Sequence, residues 1–88
     1  MASEGFAPLA PDLAVEVLSP EDNKRAILDK IGEYLDAGTR LVWLLDPIAG
    51  QAVAYRSLTS VRQLGIDELL DGEDVVPGFQ WPLREILA

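Results

Sequence analysis

Two apolar runs of strand length, PDLAVEVLSP at residues 11–20 and RLVWLLD at residues 40–46, flank a stretch with helical periodicity. A strand, a helix and a second strand in that order imply a right-handed parallel crossover. The near-continuous apolar character of RLVWLLD fits a central strand covered on both faces. The first strand reads from Pro11 to Leu18, carried by Leu13, Val15, Val17 and Leu18 and closed by proline at each end. Ser19 then reads as a helix N-cap, with Pro20 at the first helical position and Glu21 and Asp22 complementing the dipole. The helix is expected to reach about Ala37, with Gly38 as the residue just past its end. Ile27, Ile31, Tyr34 and Leu35, with Leu28 beside them, make one buried stripe.

After Asp46, PIAG at residues 47–50 turns the chain and QAVAYR at 51–56 alternates as a strand, so this pair reads as an antiparallel hairpin. Residues 57–70 are ambiguous: 61–64 reads as a short strand, and 66–70 as either a strand or a helical turn. DGED at 71–74 is turn chemistry, VVPGFQWPL reads as an ordered apolar closing loop, and residues 84–88 add a helical turn. The resulting class is α/β with a mixed sheet. Residues 1–10 form an N-terminal arm, and residues 11–88 a single domain.

A chain of 88 residues supports one small core. It buries roughly 60–65% of its unfolded surface, so oligomerisation would help its stability. The 49% hydrophobic content leaves apolar surface for a partner, and a homodimer is the expectation. A net charge of -8 argues against holding nucleic acid by bulk electrostatics, though not against gripping DNA locally. With neither cysteine nor histidine, thiol nucleophiles, zinc–thiolate sites and histidine-based triads or metal sites are excluded. Chemistry is left to carboxylates, lysine, arginine, tyrosine, backbone groups or a hard metal ion. No basic leader or long apolar span is present, so a cytoplasmic protein with no membrane association is expected.

Glu16 is the residue any functional account must explain, because a carboxylate inside a buried strand is costly unless a cation compensates it. The surrounding motifs carry a family likeness: PDLAVEVLSP, then Lys30 and Tyr34 in the helix, Ala37-Gly38, VWLLDP at 42–47, AVAYR, and GEDVVPGFQWPL. In this order they resemble the Uma-type restriction-endonuclease-like family of the PD-(D/E)XK nuclease superfamily. The resemblance implies a restriction-endonuclease-like core and metal-dependent hydrolysis of DNA phosphodiesters. It also implies Mg²⁺ or Mn²⁺ held by an aspartate and a glutamate, with a lysine that orients or activates water. Glu16 matches the glutamate, and so stands as a catalytic and metal-binding candidate. The usual lysine position falls on Leu18, and Lys30 matches the lysine that this family takes from the following helix. The first aspartate belongs to an upstream strand with no counterpart in this sequence.

Asp12 does not replace that aspartate. Residues four apart on a strand share a face but lie about 13 Å apart, too far for two ligands of one ion at about 2.1 Å. Lys30 is better placed. From the turn after the strand, Glu16 lies about 10 Å back along the strand. Lys30 lies about 15 Å back along the helix, with its side chain leaning toward the helix N-terminus. Contact requires the helix to cover the Ala14–Glu16 face; covering the oilier Leu13, Val15, Val17 face would separate them. The structural reading of Glu16 is a buried carboxylate paired with Lys30, Lys24 or a partner chain's arginine, and that of Lys30 is an exposed helix lysine beside Asp29 and Glu33. Tyr34, Trp43 and Tyr55 read as core aromatics, and Trp81 as a packing lid or interface anchor. The acidic residues from Asp67 to Asp74 lack the spacing of a calcium loop.

Two functional classes follow. One is a metal-dependent nuclease-like domain, intact or degenerate, using Glu16 and Lys30 with a carboxylate from another subunit. The other is a non-catalytic dimerising module descended from such a nuclease. A piece of a longer reading frame is a third reading.

Overall fold

In the computed structural model, which describes residues 10–88, strands β1 (Leu13–Val17) and β2 (Leu41–Asp46) run parallel. Their register sets Leu13 beside Leu41 and Val17 beside Leu45. Helix α1 (Lys24–Asp36) joins them. β3 (Gln51–Ser57) pairs antiparallel with β2, and β4 (Ser60–Gly65) antiparallel with β3, giving a four-stranded mixed sheet in the order β1-β2-β3-β4. The expected α/β class with its crossover and hairpin is therefore present. Apart from Ala10, the expected N-terminal arm lies outside the described residues.

Several local expectations change. Ser19 does not cap the helix, which begins later at Lys24. The cap is Asn23, whose side-chain oxygen accepts from the backbone N–H groups of Arg25 and Ala26. Residues 19–22 instead close on themselves as a turn: the Ser19 N–H donates to the Asp22 carboxylate at 2.8 Å, and the Asp22 N–H to the Ser19 carbonyl at 3.0 Å. Asp22 is thus committed to the turn rather than to a helix dipole. The closing region is more regular than a loop. Strands β5 (Leu69–Asp71) and β6 (Gln80–Pro82) pair antiparallel, and α2 (Leu83–Ile86) follows. Gly38 ends α1 as expected, at φ 109°, where a side chain would be strained.

The sheet is buried on both faces by different layers. On one face Ala14, Val42 and Tyr55 pack against Ile27 and Ile31 of α1. Leu28 is 42% exposed, so the helix stripe is narrower than its spacing suggests. On the other face Leu41, Trp43 and Leu45, with Ala52, Ala54 and Leu64, meet Leu70 and Leu83 of the closing layer. Trp43 and Phe79 contact there with ring centroids 5.5 Å apart. This settles which side of β1 the helix covers. Leu41, Trp43 and Leu45 of β2 face the closing layer, while Val42, Leu44 and the small Ala14 of β1 meet α1 on the other side. Among the described residues no helix is long and apolar enough to cross a membrane.

Two glycines test this packing in opposite directions. A Cβ on Gly72 would clash with the Val76 carbonyl oxygen, inside a loop closed by the Val75 and Val76 N–H groups donating to the Gly72 carbonyl. Gly72→Ala should destabilise the fold by about 1–3 kcal/mol. A Cβ on Gly32, within α1, would meet only Leu58 Cδ1 at an ordinary 3.7 Å. Gly32→Ala should stabilise by about 0.5–1 kcal/mol, since the helix gains propensity without a clash. Urea-denaturation midpoints for the two variants should move to opposite sides of the native value.

Candidate functional site

Glu16 sits on β1 between Val15 and Val17, with its side chain on the face that α1 covers. That side chain is only 15% exposed, and both carboxylate oxygens are engaged by α1. Oε1 lies 3.4 Å from Lys30 Nζ, and Oε2 accepts the Tyr34 hydroxyl proton at 3.2 Å. Lys30 and Tyr34 are four residues apart and so project from the same side of the helix. Their alignment over β1 follows from Ile27 and Ile31, which anchor the neighbouring stripe in the core. The cation that Glu16 requires is therefore supplied within the chain.

The members of this cluster differ in their access to solvent. The Lys30 side chain is 54% exposed. An ammonium carries three donors, so Lys30 can hold Glu16 while offering donors to an anion arriving from outside. Tyr34 is held as a neutral phenol: burial raises its pKa first, and the hydrogen bond to Glu16 and the carboxylate's charge add to the rise, opposed by Lys30. The sequence placed Tyr34 in the family pattern and in the core, with no role at Glu16. The signal for that role was the i, i+4 spacing from Lys30.

The remaining candidates lie elsewhere. Asp12 is exposed and sits 3.5 Å from Arg40 Nε. Leu18, in the position of the usual lysine, donates its N–H to the Leu45 carbonyl and packs with the α1 core. Asp46, at the far end of β2, accepts from the Ala49 N–H and shapes the turn. In the acidic stretch, Asp67 pairs with Arg84, while Glu73 and Asp74 pair with Arg56. Trp81 is half exposed. A recess of about 180 Å³ under the first half of α1, floored by Ile27, Leu44 and Val53, does not include Glu16.

The donor set can be compared with a divalent ion's needs. Mg²⁺ takes octahedral oxygen ligation, generally with one or two carboxylates, water and substrate phosphate. Here a single carboxylate has its two oxygens turned to an ammonium and a phenol, and no cluster of three or more acidic groups converges among the described residues. These residues alone do not fit a bound Mg²⁺ or Mn²⁺.

Residues 2–84 match the Uma2 family model, described as "Putative restriction endonuclease". The fold is similar to a crystal structure of "a putative nuclease belonging to DUF820" from Anabaena variabilis ATCC 29413, with a TM-score of 0.78 and 24% sequence identity. That match covers 90% of this chain and 45% of the other, so this chain spans less than half the length of that protein. At such identity the likeness is one of fold. No curated protein matches the chain.

The site's electrostatics give a titration signature. The chain has two tyrosines, and both Tyr34 and Tyr55 have raised pKa values, Tyr55 through burial. The tyrosinate absorbance of the native protein should therefore appear above the ordinary value of about 10, and return to it in urea. Because the folded pKa values exceed the unfolded ones, this contribution to stability is complete below about pH 10 and is lost as pH rises through the folded values. Tyr34→Phe should lower the native-state tyrosinate amplitude and cost about 0.5–1.5 kcal/mol, as Glu16 Oε2 loses its donor. Spectrophotometric titration and denaturant unfolding read the two effects.

Proposed function

The chain belongs to the Uma2 family, and from that premise we propose that it supplies half of a phosphodiester-hydrolysing site, centred on Glu16, in a nuclease-like assembly. The observation that carries this reading is a single carboxylate, 15% exposed, held between the ammonium of Lys30 and the hydroxyl of Tyr34. In this reading Glu16 accepts a proton from the attacking water as its oxygen bonds to phosphorus, and the bond from phosphorus to the leaving sugar oxygen breaks, that oxygen taking its proton from solvent water. The outward donors of Lys30 meet the phosphoryl oxygens, whose negative charge it offsets in the transition state. Tyr34 is a positioning residue that fixes the carboxylate's orientation. DNA is the substrate class that the family description suggests, gripped locally rather than by the protein's overall field, since the chain carries a net charge of -8.

The site as described is half of a centre because it lacks a second carboxylate. Divalent-metal chemistry of the kind expected from the family would need that group from outside the described residues, and no step is assigned to a metal held by these residues alone. The same incompleteness favours the second reading, a non-catalytic dimerising module of nuclease descent. In that case Glu16, Lys30 and Tyr34 only hold α1 onto the sheet.

Plasmid cleavage by the native protein and by Glu16→Gln, with Mg²⁺ and with Mn²⁺, separates the two. The hydrolytic reading predicts cleavage that falls by about a hundred-fold or more in Glu16→Gln, with the variant still folded by circular dichroism. Equal cleavage by both proteins would remove Glu16 from the chemistry. No cleavage by the native protein, at concentrations where two copies associate, would favour the second reading.

A further inference from the structure

β1 ends the sheet, and its hydrogen-bonding parity can be read from its ends. The Asp12 carbonyl accepts from Leu41 N–H, and Leu18 N–H donates to the Leu45 carbonyl. In a parallel pair a residue turns its N–H and C=O to the same side. The even-numbered residues of β1 are thus spent on β2, while Leu13, Val15 and Val17 aim their backbone groups at the outer edge. Among the described residues nothing pairs with that edge. Those same residues are apolar, and Val15 and Val17 are 46% and 57% exposed. Edges are ordinarily blunted by charge; the opposite edge strand, β4, exposes Arg62 and the polar Gln63 beside a 48% exposed Val61. Among the described residues, the outer side of β1 carries no charge beyond Glu16, which is paired with Lys30.

We propose that two copies of this chain join antiparallel through the outer edge of β1, bringing their two Glu16 carboxylates to one seam. The strand is self-complementary about Val15. A two-fold axis through that residue pairs Val15 with the second copy's Val15, and Leu13 with the second copy's Val17. Each pair exchanges N–H and C=O groups that are free in one copy, and every side chain in these pairs is apolar. On the α1 face the same register sets Glu16 opposite the second copy's Ala14, whose small side chain leaves it room. The two Glu16 Cα atoms then lie on a diagonal of about 7–8 Å, a span two glutamate side chains can close.

The self-complementarity of the strand about Val15 argues for the second copy as occupant, and charge at the seam permits it, because each Glu16 arrives with Lys30 3.4 Å away. The seam therefore joins two compensated pairs rather than two bare anions. α1 packs chiefly over β2 and β3, so the helices flank the seam instead of filling it. The resulting cleft brings a second carboxylate to the one that the described residues of a single copy supply. Its catalytic meaning rests on the reading of Glu16 proposed above, whereas the pairing rests on β1 alone. Only one short strand from each copy meets, well below the area of a standard interface, so the association is weak and concentration-dependent. With each chain at -8, added salt should strengthen it by screening mutual repulsion.

Sedimentation equilibrium on native protein, Val15→Lys, Val15→Glu and an equimolar mixture of the two variants tests the pairing. Both substitutions fall on a half-exposed side chain, so each copy should fold alone. The native protein should dimerise, each variant should be monomeric, and the mixture should recover a dimer through opposed charges at the central pair. Glu16→Gln should remain dimeric. A native protein that stays monomeric up to about 1 mM, or dimers that persist unchanged in both variants, would overturn the proposal. So would a monomer whose Val15 amide resists hydrogen exchange, since another part of the chain would then occupy the edge. Monomeric protein with Glu16-dependent cleavage would sink the pairing and the need for a second carboxylate, while leaving the role of Glu16 in hydrolysis standing. A dimer with Glu16-independent cleavage would do the reverse.

Discussion

The compensation of one carboxylate organises this small domain. Glu16 occupies a strand position where an uncompensated charge would oppose burial, and α1 brings it an ammonium and a phenol from one side of a helix. The arrangement works because the two sides of β1 are unequal. Leu13 faces a thick closing layer together with Leu41, Trp43 and Leu45, while Ala14 lets the helix settle beside Glu16. A helix on the other face would leave Glu16 without Lys30. Packing and electrostatics therefore select the same topology.

Much of this was legible in the residues. The unbroken apolar run of β2, the helical stripe through Ile27 and Ile31, and the αL glycine after α1 each have one strong local cause. The helix start was less legible, because Ser19-Pro20 and Asn23 both carry capping chemistry. The competition was decided by Asp22, whose carboxylate closes the earlier turn. β5 and β6 are only three residues each and are interrupted by proline and glycine, so they have no periodicity to read. Tyr34 was hidden for a different reason. An aromatic on a helix stripe reads as core, and its hydroxyl contact depends on which sheet face lies beneath it.

Fold and chemistry part company at the donor set. The family match covers nearly the whole chain, whereas the chain covers less than half of the similar solved nuclease-like protein. What the chain contains is coherent: a sheet covered on both faces and a polar cluster at the margin of one of them. What it lacks within the described residues is a second acidic group near Glu16. The cluster and the unprotected strand edge lie on the same strand. Any polypeptide that completes the sheet there also arrives beside the carboxylate.

The central claim is that Glu16 is held by Lys30 as a coupled pair, not merely placed near it. A double-mutant cycle in denaturant unfolding, comparing Glu16→Gln, Lys30→Met and the combined variant, measures that coupling directly. The account predicts that the double variant loses less stability than the two single losses added together, by about 0.5 kcal/mol or more. That size reflects a carboxylate that is mostly buried and a lysine that is half in solvent. Additive losses would mean that the two groups do not sense each other, and that the carboxylate is tolerated on β1 for some other reason.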